Sequence, residues 1–141
     1  MRKAMLILPA VALSVLATAT SAHAEQAPGC SRTVQIGSTG YIKKNDVTIA
    51  SVKQFIGCDR NWAYTYVWDS LANKPGSFSS SAAMWFDGAM NHASNVNGHN
   101  KQHVWSEGTK TLDKCTRAYG EVWGIDPGST PVYWGRSSER C

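Results

Sequence analysis

Trp62-Ala63-Tyr64-Thr65-Tyr66-Val67-Trp68 decides the fold. Aromatic residues alternate with small or β-branched ones. An extended chain therefore puts Trp62, Tyr64, Tyr66 and Trp68 on one face and Ala63, Thr65 and Val67 on the other. A helix would scatter the same rings around its axis. Val47 to Ile56, entered through the turn signal Asn45-Asp46, is a second β-rich stretch with few helix formers. With Gly57-Cys58-Asp59-Arg60-Asn61 as a loop between them, the two stretches predict an antiparallel hairpin carrying Cys58 in its connection.

The aromatic face has two readings. Aromatic faces stack sugar rings or bases, and tyrosine hydroxyls reach polar partners, so Trp62, Tyr64, Tyr66 and Trp68 could form a binding platform. The other reading is core. Ala63, Thr65 and Val67 offer little apolar volume, and six tryptophans in a domain of this size require that several be buried. The expectation adopted is core, with the platform left open as the binding alternative.

The rest of the chain carries the same punctuation. Thr33-Val34-Gln35-Ile36 alternates and predicts a first strand. Asn73-Lys74-Pro75-Gly76 through Ser81 reads as a loop. Ala83 to Phe86 and Gln102 to Trp105 read as a second pair of strands around a polar loop, Asn91 to Asn100. Leu112 to Trp123 fits either period, with Gly120 and β-leaning neighbours favouring a turn at 111–114 and then a strand. Asp126-Pro127-Gly128-Ser129 is a strong turn signal before Pro131-Val132-Tyr133-Trp134, which closes a last hairpin. Six to eight short strands at this spacing predict an all-β antiparallel sandwich or small barrel.

The first 24 residues say where the domain works. Arg2-Lys3 precedes an uncharged run from Ala4 to Ala22, and Ala22-His23-Ala24 supplies the small-x-small pattern of a signal-peptidase site. Pro9 and the Ala/Ser/Thr-rich second half make a poor spanning helix, and no basic stop-transfer follows. The expected organisation is a signal peptide over 1–24, a flexible lead-in over 25–32, and one domain over 33–141. Localisation is expected to be extracellular. Cleavage leaves 117 of 141 residues, enough for one core. It also removes Arg2 and Lys3, lowering the net charge from +4 to +2, too little to argue for nucleic acid or an anionic membrane.

Cys30, Cys58, Cys115 and Cys141 are an even set in an exported chain, which reads as two disulfides. The sequential pairing, Cys30–Cys58 and Cys115–Cys141, is expected because each bridge closes around a local hairpin or its approach. Loops of roughly 28 residues stabilise by about 3–4 kcal/mol each on the chain-entropy estimate. No paired-Cys spacing supports a structural zinc site.

His92, His99 and His103 lie in the polar loop, with Asp87 nearby. In an extended chain His99 and His103 sit roughly 13 Å apart. They read as solvated, and no metal or cofactor is expected. Asp59, Asp69, Asp87, Glu107, Asp113 and Glu121 could supply a glycosidase pair, but their spacing selects no two. No nucleophile elbow, zincin helix or phosphate loop occurs.

Ser51-Val52-Lys53-Gln54-Phe55-Ile56-Gly57-Cys58-Asp59-Arg60-Asn61-Trp62-Ala63-Tyr64-Thr65-Tyr66-Val67-Trp68 resembles a group of small secreted actinobacterial (Streptomyces-like) proteins that are domains of unknown function. Trp105-Ser106 and Thr111-Leu112-Asp113-Lys114-Cys115-Thr116-Arg117-Ala118 are similar to the same group. The resemblance implies a secreted β domain and carries over no active site. Secretion, stapling and aromatic richness lead to a non-catalytic module, expected as a monomer, that binds an extracellular glycan or protein. The alternative is a secreted inhibitor or small antimicrobial effector presenting the Asn73–Ser81 or Asn91–Asn100 loop. A small hydrolase comes third.

Overall fold

The computed structural model describes residues 25–141; the signal peptide read over 1–24 lies outside the described residues. The expected hairpin is there, tighter than the loop reading suggested. Strands β2 (Val47–Gly57) and β3 (Arg60–Val67) join through the two-residue turn Cys58-Asp59, both residues at positive φ. Asn45-Asp46 makes the same left-handed turn between β1 (Val34–Lys44) and β2. Such turns match the right-handed twist of the flanking strands, and Asn and Asp tolerate positive φ better than most residues. β1 extends well past Ile36, because bulges at Ile36/Gly40 and Ile42/Lys43 let a long strand stay paired with β2.

After β3 come a one-turn helix α1 (Asp69–Ala72), β4 (Ser79–Phe86), β5 (Ala89–Met90), a 3-10 turn (His92–Ser94) and β6 (Val96–His99). β7 (His103–Trp105), β8 (Thr116–Trp123) and β9 (Val132–Arg136) follow. The described residues thus hold nine strands rather than six to eight. The excess comes from β5, just before the stretch read as a polar loop, and β6, within it. Asn91 accepts from the Ser94 N–H, and Ser94 Oγ accepts from the Met84 N–H, so that stretch is knitted to β4. Residues 116–123 form a strand, preceded by a turn over 112–114.

The strands form two antiparallel sheets. The first has the order β1-β2-β3-β7; the second has β5-β4-β8-β9, with β6 also on β4. The strands at Ala83–Phe86 and Gln102–Trp105 therefore do not pair with each other. β4 belongs to the second sheet and β7 pairs with β3 in the first, because the chain crosses between layers after β6. β3 lies across β4 and β8, and β1 runs beside β9, which gives a two-layer sandwich. Both expected disulfides are present, Cys30–Cys58 and Cys115–Cys141. Cys115–Cys141 ties down the final residue, which would otherwise fray.

The interior is thin. Ala63, Thr65 and Val67 are fully buried against Ala82, Met84, Ala118 and Val122 of the other sheet. Thr65 Oγ1 donates across the gap to the Ser81 carbonyl at 2.8 Å. A methyl group on Gly120 would lie 2.3 Å from Thr65 Oγ1 and 2.8 Å from Val52 Cγ2. The layers approach closely here because the residues between them are small. At one end the core turns polar: Gln54 Nε2 donates to Asn61 Oδ1 and Thr116 Oγ1, and Asn61 Nδ2 donates to Thr111.

Candidate functional site

The aromatic face of β3 is core at Trp62 and Tyr64, though in a cluster outside the sandwich interior, and open at Trp68. The small-residue face of β3 lines the interior, so Trp62, Tyr64, Tyr66 and Trp68 point away from the second sheet. Two of them are nevertheless buried. Trp62 is 8% exposed and Tyr64 2%, in a separate cluster with Phe55, Trp105, Ala27 and Cys30. The Trp62 indole N–H donates to the Gly57 carbonyl at 3.0 Å, and Gly108 lies against its ring.

Residues 25–30, within the lead-in read over 25–32, supply part of that cover. Glu25 pairs with Lys53 at 2.7 and 2.9 Å, and Thr33 Oγ1 donates to the Glu25 carbonyl at 2.6 Å. Gln26 Nε2 donates to the Cys30 carbonyl, and the Cys30–Cys58 bridge ties the segment to the β2–β3 turn. The segment is thus tied to the domain by an ion pair, the hydrogen bond from Thr33 and a covalent link.

Beyond this cover the face opens into a groove of about 610 Å³. Tyr64, Tyr66 and Trp68 line it; Trp62 does not. Glu25, Gln35, Thr39, Tyr41, Ser51, Lys53 and His103 complete the lining. Tyr41 (53% exposed) and Trp68 (38% exposed) meet edge to face at 6.3 Å and 87°, forming an aromatic wall. Tyr66 donates to Asp69 Oδ1 at 3.2 Å, and Gln102 Nε2 donates to both Tyr66 Oη and Asp69. Tyr64 Oη and His103 Nδ1 share a hydrogen bond of 2.6 Å. Burial pushes the Tyr64 hydroxyl well above the usual tyrosine range, and the nearby Glu25 carboxylate and Tyr66 add to the shift. Tyr66 is raised as well, by burial and then by Asp69. Both phenols keep their protons, so Tyr64 can donate to His103 Nδ1.

The groove thus combines exposed aromatic faces, neutral hydroxyls and amides, and one ion pair on its floor. That set suits recognition of a polar, ring-bearing ligand. Of the acids considered for hydrolysis, Asp69 holds Tyr66 and Gln102, Asp87 pairs with Lys114, and Glu121 accepts from Tyr119, whereas Asp59 and Asp113 line one open pocket beside Arg60 and Lys110. The histidines are dispersed, since His103 is on β7 in the groove rather than in a loop, while His99 at the end of β6 contacts Ser79 and Asn100. Among the described residues, the metal-capable groups that converge are Cys115, Glu139 and Cys141, and both sulfurs are spent on a disulfide.

Lys53 and Ser51 were missed in the sequence, although a signal existed. A two-residue turn at Cys58-Asp59 pairs Lys53 with Tyr64 and Ser51 with Tyr66, the observed register. Reading 57–61 as a longer loop hid that pairing. Tyr41 could not be placed in the same way, because the β1 bulges shift it to pair with Ser51. The chain matches no family model, and no curated protein or solved structure matches it.

Proposed function

We propose that the chain is a secreted, non-catalytic β domain that binds an extracellular glycan in the groove on the outer face of its first sheet. The observation that carries this reading is the wall of Tyr41 and Trp68, two large rings left exposed beside a floor of protonated phenols, amides and hydroxyls. Ring faces take the C–H face of a sugar, and neutral polar groups at the rim take its hydroxyls. Secretion is supported by the sequence of residues 1–24 and by two disulfides, which persist in oxidising compartments. Among the described residues no helix is long and apolar enough to cross a membrane.

Pull-down on insoluble chitin, cellulose and peptidoglycan tests the proposal. The intact protein should be retained by at least one of them. Trp68→Ala should abolish retention while lowering the denaturation midpoint far less than truncation of the buried Trp62, since Trp68 is 38% exposed against 8% for Trp62. Recovery of the intact protein in every supernatant overturns the glycan reading.

A further inference from the structure

The second sheet also presents an aromatic face outward, and its centre is a cation. Arg136 on β9 holds its guanidinium 4.8 Å from the centroid of Trp85 and 5.3 Å from that of Trp134. Tyr119 lies between these tryptophans in the ladder. Its ring is 5.7 Å from Trp85 and nearly parallel to Trp134 at 6.2 Å. Trp134 is 55% exposed, so the ladder is open to solvent. The neighbouring cations have partners: Arg117 pairs with Glu139 and Lys114 with Asp87. Arg136 has no carboxylate partner among the described residues.

An arginine stacked between aromatic rings loses rotamer freedom in advance and keeps its planar N–H edge for an outside acceptor. That edge matches a carboxylate bidentately. Beside it, Trp134 and Tyr119 offer a flat surface for a ring. We propose that the outer face of the second sheet is a separate binding site for a carboxylate-bearing saccharide, with Arg136 engaging the carboxylate and Trp134 stacking on the sugar ring. The site lies on the opposite side of the sandwich from the groove and does not depend on it. An extended peptide would ordinarily add to a strand edge. The free edge of β9 is occupied by β1: the Ser138 N–H donates to the Ser38 carbonyl, and a methyl on Gly40 would lie 2.0 Å from the Arg136 carbonyl oxygen. With the β9 edge covered, the exposed ring faces beside Arg136 favour the saccharide.

Titration of the mature protein with a short oligogalacturonate, and with the same oligomer methyl-esterified, tests this. The acid form should bind about ten- to a hundredfold more tightly than the ester, the usual range for hydrogen bonds to a charged group. Arg136→Lys keeps the charge but loses the planar fork, and should weaken the acid form about tenfold. Trp134→Ala, at an exposed position, should weaken acid and ester alike and decides the matter if the arginine variant misfolds. Trp68→Ala should leave this binding intact whatever happens to the groove ligand. Equal binding of acid and ester, or affinity unchanged in both Arg136→Lys and Trp134→Ala, overturns the proposal. Equally tight, Arg136-dependent binding of a short glutamate peptide overturns the assignment to a saccharide.

Discussion

The two faces of β3 are made of opposite materials, and the bulky one is on the outside. Ala63, Thr65 and Val67 face the second sheet and are fully buried, whereas Trp62, Tyr64, Tyr66 and Trp68 face away from it. Outside does not mean exposed. Cover along the aromatic face is graded, from Trp62 and Tyr64 beneath residues 27–30, Phe55 and Trp105 to Trp68 in the open groove. Bulk alone therefore does not choose the interior of a sandwich; complementarity with the facing sheet does. Ala82, Ala118 and Gly120 leave room between the layers only for small partners, and the tryptophans find apolar cover elsewhere.

Trp62→Ala gives the sharpest break. If the outer cluster stabilises the fold as a core does, the truncation costs about 3–5 kcal/mol, the usual figure for a buried tryptophan. Denaturant unfolding measures it. A loss below about 1 kcal/mol would mean that the cluster is surface decoration and that the thin interior holds the fold alone.

Gly120→Ala probes the inner face with the smallest possible addition. In an unconstrained strand this change stabilises by about 0.4–1 kcal/mol through the unfolded chain. Here the new methyl would sit 2.3 Å from Thr65 Oγ1, so overpacking should dominate and destabilise by about 1–3 kcal/mol. A neutral or stabilised variant in the same unfolding assay would show that the sheets can part without loss.

A smaller effect concerns pH. The Tyr64 hydroxyl is raised in the folded protein by burial, with Glu25 and Tyr66 adding to the shift. As pH climbs through the ordinary tyrosine value of 10.0, the unfolded chain releases this proton first. The stability contributed is whole below that pH and is lost above it. Tyr119, raised by burial and its bond to Glu121, behaves in the same direction. Tyr64→Phe should therefore flatten, without abolishing, the fall of the unfolding midpoint in alkali. An unchanged slope would show that Tyr64 is more solvated than its position beneath the cover implies.

How much was legible follows from these same residues. Period-two alternation marked β3, Asn45-Asp46 marked the first turn, and Asp126-Pro127-Gly128 marked the last hairpin, because each is a local property of a few dihedrals. The 3-10 turn at His92–Ser94 and β6 escaped, since both are short, the turn being held to β4 by the Met84 N–H on Ser94 Oγ and β6 by its backbone pairing with β4 rather than by any pattern of their own. Tyr64, Tyr66 and Trp68 were legible as one face, whereas Lys53, Tyr41 and His103 reach the groove through register, a bulge and a strand from much later in the chain.

By itself the sequence determined that the chain would be β-rich, where most of its turns would fall, and that four cysteines would be joined in neighbouring pairs. Alternation states that a strand has two faces and which residues share each. It carries no information about which face meets another sheet, because that depends on side chains far away in the chain. Only the tertiary structure decided it. The second sheet brought small residues to the interface, and residues 25–30, bridged through Cys30 to the turn beside Trp62, helped to cover Trp62 and Tyr64 and left Trp68 open.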